Sequence, residues 1–72
     1  MARIETLLEQ IERHIQQGEE AVERQTELVT RLIQEDRAYD SALALLQTFK
    51  QALQLHRDHL ELYKKQSDES EP

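Results

Sequence analysis

Apolar residues fall at Ile4, Leu8, Ile11, Ile15, Val22, Val29 and Leu32, and with Gly18 and Gln25 in the series the intervals alternate four, three, four, three without a break. That is the heptad alternation of a helix packed along one stripe, not the alternation of a strand. It predicts one helix over residues 2–35, on the order of 50 Å long at 1.5 Å per residue. The pattern lapses at Asp36-Arg37-Ala38-Tyr39-Asp40, and Asp40 or Ser41 can accept hydrogen bonds from the free amides of a new helix start, so the turn is expected over 36–40. Ala42, Leu46, Phe49, Leu53, His56, Leu60 and Tyr63 then repeat the four-three spacing and predict a second helix over 41–65. Gln66 to Pro72 holds three acids and no apolar group, and is expected to be a disordered acidic tail.

The expected fold is all-α: a long antiparallel two-helix hairpin with coiled-coil-like packing. Folding the chain around residues 37 and 38 pairs positions whose numbers sum to about 75, which sets Val29 against Leu46, Gln25 against Phe49, Val22 against Leu53 and Ile15 against Leu60. The same register places Gly18 opposite His56, where bare backbone would accept a ring, and brings His14 near His59 and Leu60. Gln25 is the one polar residue of the seam with an amide to bury, a feature that fixes helix register at some cost in stability.

Each helix carries a second stripe beside the first. Leu7, His14, Ala21 and Leu28 lie seven apart on the first helix, and Leu45, Thr48, Ala52, Leu55, His59 and Leu62 keep four-three spacing on the second. Two adjacent seams per helix imply two packing partners per helix. In the expected register Lys65 pairs with about Gln10, which leaves Ile4, Leu7 and Leu8 overhanging. A chain of 72 residues without disulfides also draws little stability from a core of its own. The economical solution is an isologous homodimer, two hairpins forming a four-helix bundle through Leu7, His14, Ala21, Leu28, Leu45, Ala52, Leu55, His59 and Leu62. An unidentified protein partner would use the same stripe.

Composition narrows the function. Fifteen acidic against nine basic residues give a net charge of −6, which repels a phosphate backbone, so no nucleic-acid partner is expected. Leu43-Ala44-Leu45-Leu46 is the longest apolar run, far too short to span a bilayer, and the chain is expected to be cytoplasmic with no membrane partner. No Cys is present, which removes thiolate metal sites, a Cys nucleophile and redox chemistry. Ser41, Ser67 and Ser70 lack the strand-turn-helix setting of a nucleophile, and no Gly-rich loop could cradle phosphate, so no enzyme activity, catalytic residue or cofactor is expected. Glu9 and Arg13, Glu20 and Arg24, and Glu27 and Arg31 are spaced as supporting pairs on a solvated helix face. Lys50, Arg57, Lys64 and Lys65 form a modest basic cluster on the second helix, opposite in sign to the acidic first. His14, His56 and His59 are the only candidate metal ligands, with Glu12 or Glu61 as helpers; a His-based metal sensor or buffer is the alternative to an interaction module.

The stretch Glu12-Arg13-His14-Ile15-Gln16-Gln17-Gly18-Glu19, with Arg24-Gln25, Leu28-Val29, Leu45-Leu46-Gln47-Thr48-Phe49 and Leu55-His56-Arg57-Asp58-His59, resembles a family of small uncharacterised helical-hairpin proteins of rhizobia and related alphaproteobacteria. The resemblance covers about residues 12–60. Those proteins often carry Gly-His-Asp-Thr between the helices, where this chain has Arg37-Ala38-Tyr39-Asp40, a departure that bears on the turn and not on the hairpin. The resemblance implies a bacterial source and a helical hairpin and transfers no functional residue. The function expected is therefore a non-enzymatic, self-associating interaction or regulatory module.

Overall fold

The computed structural model describes residues 5–70, with side chains described to residue 66. Two helices, α1 (Leu7–Gln34) and α2 (Asp40–Ser70), pack against each other as a hairpin, and among the described residues there is no strand.

The first helix starts later than its apolar spacing suggests. Thr6 is the N-cap: its hydroxyl accepts from the Glu9 amide at 3.1 Å, while the Glu9 carboxylate accepts from the Thr6 amide at 3.2 Å. This reciprocal capping box satisfies two donors that have no partner within the helix, and it holds Glu5 and Thr6 outside the helix although both were expected inside. Residues 2–4 of the expected helix lie outside the described residues.

At the other end the chain reverses through a Schellman motif. Asp36 N–H donates to the Ile33 carbonyl at 3.1 Å and Arg37 N–H to the Leu32 carbonyl at 2.9 Å, with Asp36 left-handed at φ 55°. Glycine is the usual occupant of that position; aspartate is among the few other residues that tolerate it. Asp36→Gly is expected to raise stability by roughly 0.5–1 kcal/mol by relieving that strain. Urea denaturation followed by circular dichroism measures it, and a loss of stability would show that the turn is built differently in solution.

Residues 35–39 lie between the helices, one position earlier than expected. Asp40 is already the first residue of α2, placing a negative charge in its first turn, and the Leu43 amide bonds back to the Tyr39 carbonyl at 2.8 Å. The far end of α2 reaches Ser70, through most of the stretch expected to be a disordered tail. No Gly or Pro falls between Asp40 and Pro72, so acidic composition alone does not end the helix. Residues 71–72 lie outside the described residues.

The inward seam is the one the spacing marks. Val29, Leu46 and Leu53 are buried, and Leu8, Ile11, Ile15, Val22, Leu32, Phe49, Leu60 and Tyr63 are half-buried beside them. The register differs. Leu53, not His56, lies against Gly18, and His56 meets His14 with the rings tilted and their centroids 5.1 Å apart. These contacts join positions summing to about 70, one helical turn away from a fold made symmetrically about the turn. The cause is the asymmetric connection: after the Schellman reversal, residues 37–39 run back beside the last turn of α1, so α2 begins level with about Arg31.

Gln25 fits the same register. Its side chain is buried and donates from Nε2 to the Ala42 carbonyl at 2.9 Å, rather than lying opposite Phe49. A carbonyl in a helix points toward the C-terminus, so this bond engages α2 about one turn beyond Ala42, close to Leu46. Sliding α2 by a turn would leave a buried amide without a partner, which costs more than the bond itself contributes.

Candidate functional site

The register decides which way the second stripes face. In an antiparallel pair, equivalent flanking positions of the two helices share a side of the hairpin. Leu7, His14, Ala21 and Leu28 of α1 therefore lie on the same side as Leu45, Thr48, Ala52, Leu55, His59 and Leu62 of α2. Leu7 is 59% exposed, Leu55 61%, Leu62 54% and Leu45 44%, and Leu28 is also exposed. Ala52 and His59 are exposed with them, whereas His14 and Ala21, in the middle of the α1 stripe, are half-buried. All nine residues expected at an interface thus fall on one face, and among the described residues no large side chain is completely enclosed by the hairpin itself.

The opposite face has another character. Glu12 and Glu19 of α1 come level with Arg57 and Lys50 of α2, all four exposed. The acidic and basic helices so place opposite charges across the back of one hairpin, at separations where water screens most of the attraction. Three exposed large residues were missed from the sequence: Ile33 and Leu43 near the turn, and Tyr39 at the turn itself. Their proximity to the turn breaks the heptad context that would have marked them.

At the open end of the hairpin the structure corrects the expected overhang. In the observed register Leu8 comes level with about Tyr63 and is half-buried, and Leu7 lines a shallow groove of about 330 Å³ with Ile11, His59, Leu62, Tyr63 and Gln66. Ile4 lies outside the described residues.

The histidines do not assemble as a ligand set. His14 pairs with His56 in the seam at an interplanar angle of 47°, while His59, three residues on, turns to the exposed face and the groove. Among the described residues no group of three His, Asp or Glu side chains is placed to hold a metal ion. No described helix is long and apolar enough to cross a membrane.

Ion pairing also departs from simple four-residue spacing. Arg13 reaches past Glu9, which serves the cap, and grips Glu5 with two bonds of 2.8 and 3.0 Å. Arg37 meets Glu35 at 3.5 Å in the turn. The hydrogen bond from Arg13 holds the Glu5 carboxyl below the ordinary glutamate range; desolvation opposes it in part, and the charges of Arg13 and His14 add to it. A carboxylate with a lowered folded-state pKa stabilises the fold above its ordinary pKa, and that contribution disappears as pH falls through the lowered value. In a carboxyl-carbon NMR titration Glu5 is expected to show a midpoint below that of free glutamate, and Arg13→Gln to restore it to the ordinary range. Equal midpoints in the two proteins would mean that the pair does not persist in solution.

Comparison with known protein families, with characterised proteins and with solved structures finds no match to this chain.

Proposed function

We propose that this protein is a non-enzymatic helical hairpin that associates with a second copy of itself into a four-helix bundle and serves as a small interaction or regulatory module. One observation carries the reading: a continuous apolar face, built from both helices and well exposed at Leu7, Leu45, Leu55 and Leu62, backed by a charged face. Exposed apolar area of this continuity on a small domain marks an interaction surface. The face measures about 32 Å along the helices and about 20 Å across them, roughly 640 Å² and so close to the approximately 800 Å² that each partner contributes to a standard specific interface. A closed two-fold dimer is the commonest way to cover such a surface.

The test is sedimentation equilibrium of the full chain over a wide concentration range, with circular dichroism in parallel and with EDTA present and absent. A helical dimer indifferent to EDTA is the expected result. A helical monomer at all concentrations would refute self-association, and helicity lost on chelation would favour the histidine-based metal reading instead.

A further inference from the structure

The two exposed stripes share a property that neither shows alone. On α1, reversing Leu7, His14, Ala21 and Leu28 end for end exchanges Leu7 with Leu28 and His14 with Ala21 about a midpoint between residues 17 and 18. On α2 the same operation exchanges Leu45 with Leu62, Thr48 with His59 and Ala52 with Leu55, about a midpoint between residues 53 and 54. Nothing in the sequence requires these two midpoints to coincide in space. The fold brings them together, because Gly18 packs directly against Leu53: a Cβ added at Gly18 would lie 3.1 Å from Leu53 Cδ1 and 3.7 Å from its Cα. A register one turn away would separate the midpoints by about 5 Å along the axis.

Resting on the self-association reading, we infer that the second copy docks with its turn at the opposite end, about a two-fold axis crossing the hairpin at the level of Gly18 and Leu53, so that α1 packs on the partner's α1 and α2 on the partner's α2. The sizes of the facing residues agree with this arrangement. Leucine meets leucine in the outer layers, and in the central layers a large residue meets a small one: Leu55 meets Ala52 and His59 meets Thr48, while Ala21 meets only the exposed edge of His14, whose ring packs on His56. The other two-fold solution, with both turns at one end, stacks α1 on the partner's α2 at equal levels. It sets Ala21 against Thr48 and Ala52, leaving a gap, and crowds His14 against Leu55 and His59. Interiors pack to near-crystalline density, so alternation of large and small residues selects the first solution over the second.

The chain has no cysteine, so single labels can be placed at will. Spin labels at Arg37→Cys in the turn and, in a separate sample, at Gln51→Cys near the proposed axis, are read by pulsed dipolar spectroscopy on the full-length protein. Opposed turns place the Arg37 labels about 50 Å apart, and turns at the same end place them within about 25 Å. The Gln51 labels fall within about 30 Å in either dimer, so they report association alone. A long Arg37 distance with a short Gln51 distance is expected. Two short distances would overturn the arrangement while leaving self-association standing, whereas no measurable Gln51 distance, with a monomer in sedimentation, would remove both.

A size exchange provides a second reading. Ala52→Leu sets leucine against leucine at two symmetric places and is expected to weaken the dimer by on the order of tenfold to a hundredfold. Adding Leu55→Ala to the same chain turns each large-on-small pair around and should recover most of that loss. If the double variant is weaker than Ala52→Leu alone, the two positions do not face each other across the axis and the arrangement is wrong.

Discussion

Leu55→Glu and Leu62→Glu are expected to abolish the dimer at micromolar concentration, whereas Ile33→Glu leaves it intact. The comparison is sharp because Leu62 and Ile33 are almost equally exposed in the single hairpin, at 54% and 53%, so any difference must come from what covers them in solution. Ile33 is on the charged back near the turn; Leu62 lines the apolar face at the open end. A carboxylate buried there without a partner costs several kcal/mol, and two-fold symmetry imposes that cost twice, so a loss of at least about 4 kcal/mol, roughly a thousandfold in dissociation constant, is expected. The thermal midpoint should fall as well, since a chain that binds its partner only when folded is stabilised by the association. Sedimentation and circular dichroism melting of the three variants at matched concentrations decide the matter. If Leu55→Glu and Leu62→Glu sediment and melt like Ile33→Glu, the apolar face is not where two copies meet.

The inner seam was legible because burial along a helix leaves a period in the sequence. Each position that the four-three alternation assigns to the seam from Leu8 to Tyr63 is buried or half-buried in the structure. The register was not legible in the same way, since heptad spacing repeats every seven residues and is nearly indifferent to a slide of one turn. What fixes it lies in short-range backbone chemistry: the left-handed Asp36, the two Schellman bonds, and the Gln25 amide meeting the Ala42 carbonyl. The start of α1 had a readable signal in Thr6-Leu7-Leu8-Glu9, the capping-box spacing, but Ile4 extends the apolar series upstream and draws the expected helix with it. The site residues were legible as a stripe on each helix. That both stripes open on one side, and share a centre, becomes visible only once the helices are set side by side in the observed register.

Gly18 and Leu53 carry the second large effect. With the Leu53 Cα only 3.7 Å from where a Cβ would sit, one carbon can be accommodated and a branched side chain cannot. Gly18→Ala sets a helix-propensity gain of about 1 kcal/mol against a few tenths of an ångström of movement by a leucine methyl, and the two are expected to offset to within about 0.5 kcal/mol. Gly18→Val must drive the helices apart, which stretches the Gln25 bond and opens the seam, at an expected cost of about 3 kcal/mol. Leu53→Ala removes one of the three buried apolar side chains among the described residues and should cost a similar amount, about 3 kcal/mol, from a total of roughly 4–11 kcal/mol for a chain of this size. The two sites touch, so their effects should not add: in Gly18→Val with Leu53→Ala the valine occupies part of the space the leucine leaves, and the double variant is expected to be at least about 1 kcal/mol more stable than the sum of the single losses predicts. Urea titrations at one fixed protein concentration give the cycle. Strict additivity would mean that residues 18 and 53 do not meet, and with their contact would go both the register and the common centre of the two stripes.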